Sequence, residues 1–177
     1  MEIKLDIMAP FFRNPSRGFL IRELAKITGF NHMTIRKFVL YYLKEGLLIK
    51  RRGGLYDTFI ANTDSRKYLN LKTYFNLELL RRSGLVETLE REFHYPPIKL
   101  FGSFAKALDT EQSDVDICII TNVKKEIDLK PHEKVLDREV NLSQFTEKSW
   151  HLAKKKNSPL LNNISNGITL SGQMEFL

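Results

Sequence analysis

Apolar residues recur at helical spacing three times in the first 45 positions, then change to the alternation of extended chain. Ile3, Leu5, Ile7, Met8, Phe11 and Phe12 predict a first helix, broken by Asn14-Pro15-Ser16. Phe19 to Ile27 predicts a short amphipathic helix, ended by Thr28-Gly29, where glycine is free to take a positive φ. Asn31 is expected to cap a third helix over His32–Glu45, with Gly46 at its far end. Ile35, Phe38, Val39, Tyr42 and Leu43 share one face of it, and His32, Arg36, Lys37, Tyr41 and Lys44 lie elsewhere. Two strand-like runs, Leu47–Lys50 and Leu55–Ile60, flank Arg51-Arg52-Gly53-Gly54 and predict a β-hairpin.

From Asp64-Ser65 onward the helical period returns, through an apolar stripe that includes Tyr68, Leu71, Phe75 and Leu79. Arg81–Gly84 interrupts it, Leu85–Phe93 resumes it and Pro96-Pro97 closes it. Beyond lie apolar strands at Ile98–Phe101, Ser113–Ile120 and Arg138–Leu142. Gln144–Lys155 reads as a helix with Phe145, Trp150 and Leu152 in the core, and Lys154-Lys155-Lys156 as its solvated end. A closing helix over Leu160–Ile164 and a strand over Ile168–Leu170 follow. The mixture predicts an α/β (α+β) protein.

Composition narrows the class. The chain has 177 residues, 42% of them apolar, enough for one sizeable core or two small ones. The single cysteine, Cys118, builds no disulfide framework, so a reducing, cytoplasmic location is expected. No run of eighteen apolar residues spans a membrane, and the first residues do not read as a signal peptide. The net charge of +7 is uneven: residues 1–95 hold 17 basic and 10 acidic side chains, residues 96–177 hold 11 of each. A basic half beside a neutral one points to a polyanion partner for the first or to a merely solvated basic surface.

Three helices followed by a basic hairpin resemble the winged helix-turn-helix over residues 1–62. The resemblance implies a third helix that enters the DNA major groove and a wing that touches the backbone. His32, Arg36 and Lys37 on that helix, and Arg51 and Arg52 at the hairpin tip, are the candidate DNA-binding residues. A protein-docking module is the alternative use of the same face, and a homodimer is a plausible arrangement for reading a symmetric site.

The chemistry concentrates after residue 98. A strand ends in Gly102-Ser103, followed by Lys106, and the next strand carries Asp114 and Asp116. Strand period places the two carboxylates on one face, with Val115, Ile117 and Ile119 on the other. Adjacent carboxylates repel unless a cation sits between them, and an all-oxygen pair suits Mg²⁺ or Mn²⁺. Gly102-Ser103 and Asp114-x-Asp116, with ten residues between Ser103 and Asp114, resemble the DNA polymerase beta-like nucleotidyltransferases, especially their minimal members. The match is strongest over Leu100–Ile120. The resemblance implies that Gly102, Ser103 and Lys106 bind the triphosphate of an NTP, ATP first among them. It implies that Asp114 and Asp116 hold the metal ions.

Two departures stand out. Ala107 occupies a position where family members usually have glycine. Asn141 aligns with the expected third carboxylate, and Glu139, two residues earlier on the same face, is the candidate substitute. The three parts are therefore a winged helix (1–62), a helical connector (63–94) and a small nucleotidyltransferase domain with a mixed sheet (95–177). The leading expectation is an enzyme that transfers a nucleoside monophosphate. A DNA-binding transcriptional regulator with a degenerate catalytic domain is one rival. An antitoxin-like component acting on a toxin or other protein acceptor is another. Cys118 reads as a buried small hydrophobe, and the four histidines, set singly along the chain, lack zinc spacing.

Overall fold

The computed structural model describes residues 4–53, 56–155 and 159–174. Ile3, Gly54, Leu55 and Lys156, used in the readings above, lie outside the described residues. The chain divides into two units, Met1–Phe75 and Asn76–Leu177. Among the described residues no helix is long and apolar enough to cross a membrane.

In the first unit, α1 (Leu5–Arg13), α2 (Ile21–Thr28) and α3 (His32–Lys44) precede a hairpin of β1 (Leu48–Arg51) and β2 (Thr58–Ala61). Gly29 ends α2 at φ +74°, and the Asn31 side chain accepts the Thr34 amide at 2.8 Å to cap α3. The inward face of α3 is as the spacing predicts, with Ile35, Phe38, Val39 and Tyr42 buried. Tyr42 donates its hydroxyl proton to the Lys4 carbonyl at 3.1 Å, and burial pushes its phenol up to about 12. Phe19 and Phe59 exchange backbone hydrogen bonds of 2.9 Å, which ties the segment before α2 to the hairpin. The strands start later than the apolar runs suggest. Leu47 instead donates its amide to the Tyr42 carbonyl, so α3 runs straight into the turn before β1.

The second unit is built on a four-stranded sheet in the order β5-β4-β3-β6, where β3 is Ile98–Phe101, β4 Val115–Ile120, β5 Val140–Phe145 and β6 Ile168–Ser171. β3 pairs antiparallel with β4 and β6, and β4 pairs parallel with β5. Parallel neighbours need a crossover, here through α7 (Lys130–Leu136), a helix too short and polar to stand out in the sequence. Alternation along the strands makes two cores. Ile98, Leu100, Val115, Ile117 and Ile119 pack with residues of α4 (Arg66–Ser83), α5 (Leu85–Glu92) and α7. Phe101 and Cys118 pack on the opposite face with Trp150 of α8 (Glu147–Lys155) and Leu161 and Ile164 of α9 (Pro159–Ser165).

The structure departs from the local periodicity at two places. Gln144 and Phe145 are not helical: they close β5, paired with Ile119 and Ile120, and the helix begins at Glu147. Continued pairing with a buried parallel strand outweighs their local helical spacing. Leu152 is 52% exposed, because Trp150 is the residue of α8 that enters the core.

Candidate functional site

β3 delivers the chain into α6 (Gly102–Ala105), a single turn of helix. Phe101 is the register partner of Asp116 across the antiparallel pair, so the Gly102-Ser103 turn emerges beside that aspartate. Gly102 takes φ +74°, and a Cβ built on it would stand 2.1 Å from Asp116 Oδ2. Glycine is required twice here, for its backbone conformation and for the room it leaves to a carboxylate. Asp114 lies just before β4, exposed, and Asp116 is half-buried within it.

Asn141 completes the arrangement. It sits opposite Asp116 in the β4–β5 register, and its Nδ2 donates to Asp114 Oδ2 at 3.0 Å and to Asp116 Oδ1 at 3.4 Å. The two carboxylates therefore converge on one atom, as their period-two spacing predicts. Burial raises the Asp116 carboxyl above the usual range, the Asn141 hydrogen bond opposes this, and the Asp114 charge adds to the rise. Glu139 is exposed and precedes β5. Its carbonyl accepts the Val115 amide at 2.9 Å, and it lines a pocket of about 360 Å³ with Asp114, Glu111 and Arg138. Asn141, and not Glu139, is the residue whose side chain bridges the pair.

Lys106 caps α6, exposed, with Nζ 3.2 Å from Asn163 Oδ1. Ala107 is buried at φ +57°, and the next residue, Leu108, donates its amide to the Ser103 carbonyl at 3.0 Å. This is the left-handed helix ending that glycine normally supplies, here adopted by an alanine. Cys118 is buried opposite Lys99 in the β3–β4 register; burial pushes its thiol up to about 12, and the Lys99 charge opposes the rise.

Sequence reasoning missed the support beneath the site. Asp109, in the polar loop before Asp114, is buried and accepts from Asn76 Nδ2 at 2.8 Å and Arg138 Nη2 at 3.2 Å. Arg138 also donates to the carbonyls of Thr110 and Ser113, the latter at 3.0 Å. One guanidinium thus fixes both ends of the loop that delivers Asp114. In a sequence, Asp109 is indistinguishable from its solvated loop neighbours.

In the other unit His32, Arg36, Lys37, Arg51 and Arg52 are all exposed. His32 and Arg36 line a cavity of about 440 Å³ beside the hairpin. Arg22 and Lys50, which periodicity did not single out, line it too. Arg22 lies 5.4 Å from the Tyr56 ring centroid, and Lys50 pairs with Asp57 at 2.5 Å.

The aspartates form an oxygen-only donor pair, which fits a hard divalent cation, with the Asn141 amide as the third group in reach. Among the described residues no three His, Cys, Asp or Glu side chains gather as a metal site. No curated protein matches the chain. Residues 84–162 match the family model described as nucleotidyltransferase domain, and this domain lies within the unit that holds Gly102, Asp114 and Asp116.

Proposed function

We propose that the chain is a DNA-binding nucleotidyltransferase that moves a nucleoside monophosphate from an NTP, ATP in the first instance, to an acceptor. The observation that carries this reading is the convergence of Asp114 and Asp116 on one point, with Asp116 packed against Gly102. The acceptor oxygen attacks the α-phosphorus, the bond from that phosphorus to the bridging oxygen breaks, and pyrophosphate leaves. A divalent cation, Mg²⁺ or Mn²⁺, supplies charge neutralisation to the attacking and leaving oxygens when bound. Asp114 and Asp116 would hold it. Gly102 keeps the backbone low enough for a phosphate to approach, and the Ser103 hydroxyl and Lys106 ammonium offer donors to the triphosphate. Asn141 cannot take a proton at neutral pH, so Glu139 is the carboxylate available to accept one from the acceptor.

The exposed His32, Arg36, Lys37, Arg51 and Arg52 are the surface offered to DNA, in the manner of a winged helix, with phosphate neutralisation providing affinity. Release of pyrophosphate from α-³²P-labelled ATP, with label passing to an acceptor and lost in Asp114→Ala, tests the transfer. A regulator that binds nucleotide without transfer is the second reading, favoured by the amide at Asn141. For that reading, salt-sensitive DNA binding persists in Asp116→Ala, and wild-type protein transfers no label.

A further inference from the structure

Asn141 joins Asp114 to Asp116. An amide nitrogen carries two hydrogens, enough for both carboxylates, and here the one nitrogen lies 3.0 Å from Asp114 and 3.4 Å from Asp116. The remaining oxygen of Asp116 lies against Gly102, where even a methyl group would stand 2.1 Å away. Asp116 is thus held from both sides, by a hydrogen bond and by a backbone that admits nothing wider than hydrogen. The donor set is two negative groups and one neutral one. Two divalent ions in such a site lie about 3.5–4 Å apart and repel strongly, so their retention depends on the negative charge their ligands bring. Two carboxylates neutralise one divalent ion, so a second would rest on the nucleotide's own phosphates and a neutral amide, with no further protein charge to hold it.

We propose that Asn141 makes this a single-cation site: each bound nucleotide is accompanied by one divalent ion on Asp114 and Asp116, and a second is not retained. The inference rests on the reading of this pair as an NTP site. The amide bridge also substitutes for a cation in the nucleotide-free protein, because it satisfies both carboxylates at once. A charged residue at 141 would instead add repulsion whenever ions are absent.

Counting Mn²⁺ by electron paramagnetic resonance tests this, with full-length protein and α,β-methylene ATP, whose carbon bridge prevents pyrophosphate release. The wild type is expected to hold one Mn²⁺ per bound nucleotide, without the spin–spin coupling of a close pair. Asn141→Asp is expected to hold two, with coupling, and Asn141→Ala to stay at one. Two coupled ions in the wild type overturn the inference and leave the NTP reading standing, as does a count of one in a folded Asn141→Asp. If Asn141→Asp does not fold, the wild-type and Asn141→Ala counts decide. Failure of the wild type to bind the analogue with Mn²⁺ present removes the NTP reading itself and the inference with it.

Discussion

Replacing Arg138 by leucine removes the guanidinium that faces the buried Asp109 carboxylate. The Arg138 and Asp109 side chains are 5% and 1% exposed, so the substitution leaves the Asp109 carboxylate buried with Asn76 still donating to it. Breaking one side of a buried pair costs about 3–5 kcal/mol. The Thr110 and Ser113 carbonyls also lose a donor, but each is near enough to the surface to recruit water, so their share is smaller. The expected loss is therefore about 3–5 kcal/mol, two to four decades in the folding equilibrium, against a total of about 5–15 kcal/mol for a typical domain. Urea unfolding of the full chain, followed by fluorescence, reads this directly. The one tryptophan, Trp150, is buried in the same unit and reports its unfolding. Removing the carboxylate together with its guanidinium in Asp109→Leu/Arg138→Leu is expected to recover at least about 1 kcal/mol relative to Arg138→Leu alone. A loss below about 1 kcal/mol in Arg138→Leu, or a double variant no more stable than Arg138→Leu, would refute the reasoning.

Ala107→Gly relieves a left-handed alanine worth about 1–2 kcal/mol, but it loosens the unfolded chain and removes a buried methyl, about 0.5–1 and 0.8 kcal/mol. The net change is expected within about 0.5 kcal/mol of zero by urea unfolding; a loss above about 1.5 kcal/mol would show that the conformation is not strained. Arg51→Ala with Arg52→Ala is expected to weaken DNA binding across sequences and to lower the slope of log K against log salt by about two, and an unchanged slope would place the hairpin tip away from DNA. Asp116 has a raised folded carboxyl, so it binds its proton more tightly folded than unfolded. Its contribution to stability is fully present below the unfolded value and is lost as pH rises through the folded one. Asp116→Asn should therefore be more stable than wild type at pH 7, with the gap narrowing as pH falls towards 4 in thermal unfolding scans; a gap that widens on acidification would reverse the assignment.

Much of this architecture is legible in the chain because local signals and tertiary demands agree. Asn31 before an apolar period and Gly29 after one mark helix ends that the backbone then adopts. The same-face placement of Asp114 and Asp116 follows from strand geometry alone, and so does the burial of Val115, Ile117 and Ile119. What escaped is what depends on partners distant in sequence. Gln144 and Phe145 are strand because β4 lies beside them. Asp109 and Arg138 are buried because each finds the other 29 residues away. α7 carries only a weak apolar period and is fixed by the crossover that parallel pairing requires. The role of Gly102 is visible as a motif, but the contact that a side chain there would make with Asp116 emerges only when β3 and β4 are paired.

Calorimetric titration of ATP into wild type and Gly102→Ala, each with Mg²⁺ and with Mg²⁺ chelated, bears most directly on the pairing of acid and turn. The new methyl forces Asp116 off the turn without touching any charge. The account predicts that wild type binds ATP only with Mg²⁺, and that folded Gly102→Ala, checked by circular dichroism, binds at least tenfold more weakly. Equal affinity in the two proteins, or wild-type binding that is indifferent to Mg²⁺, would contradict it.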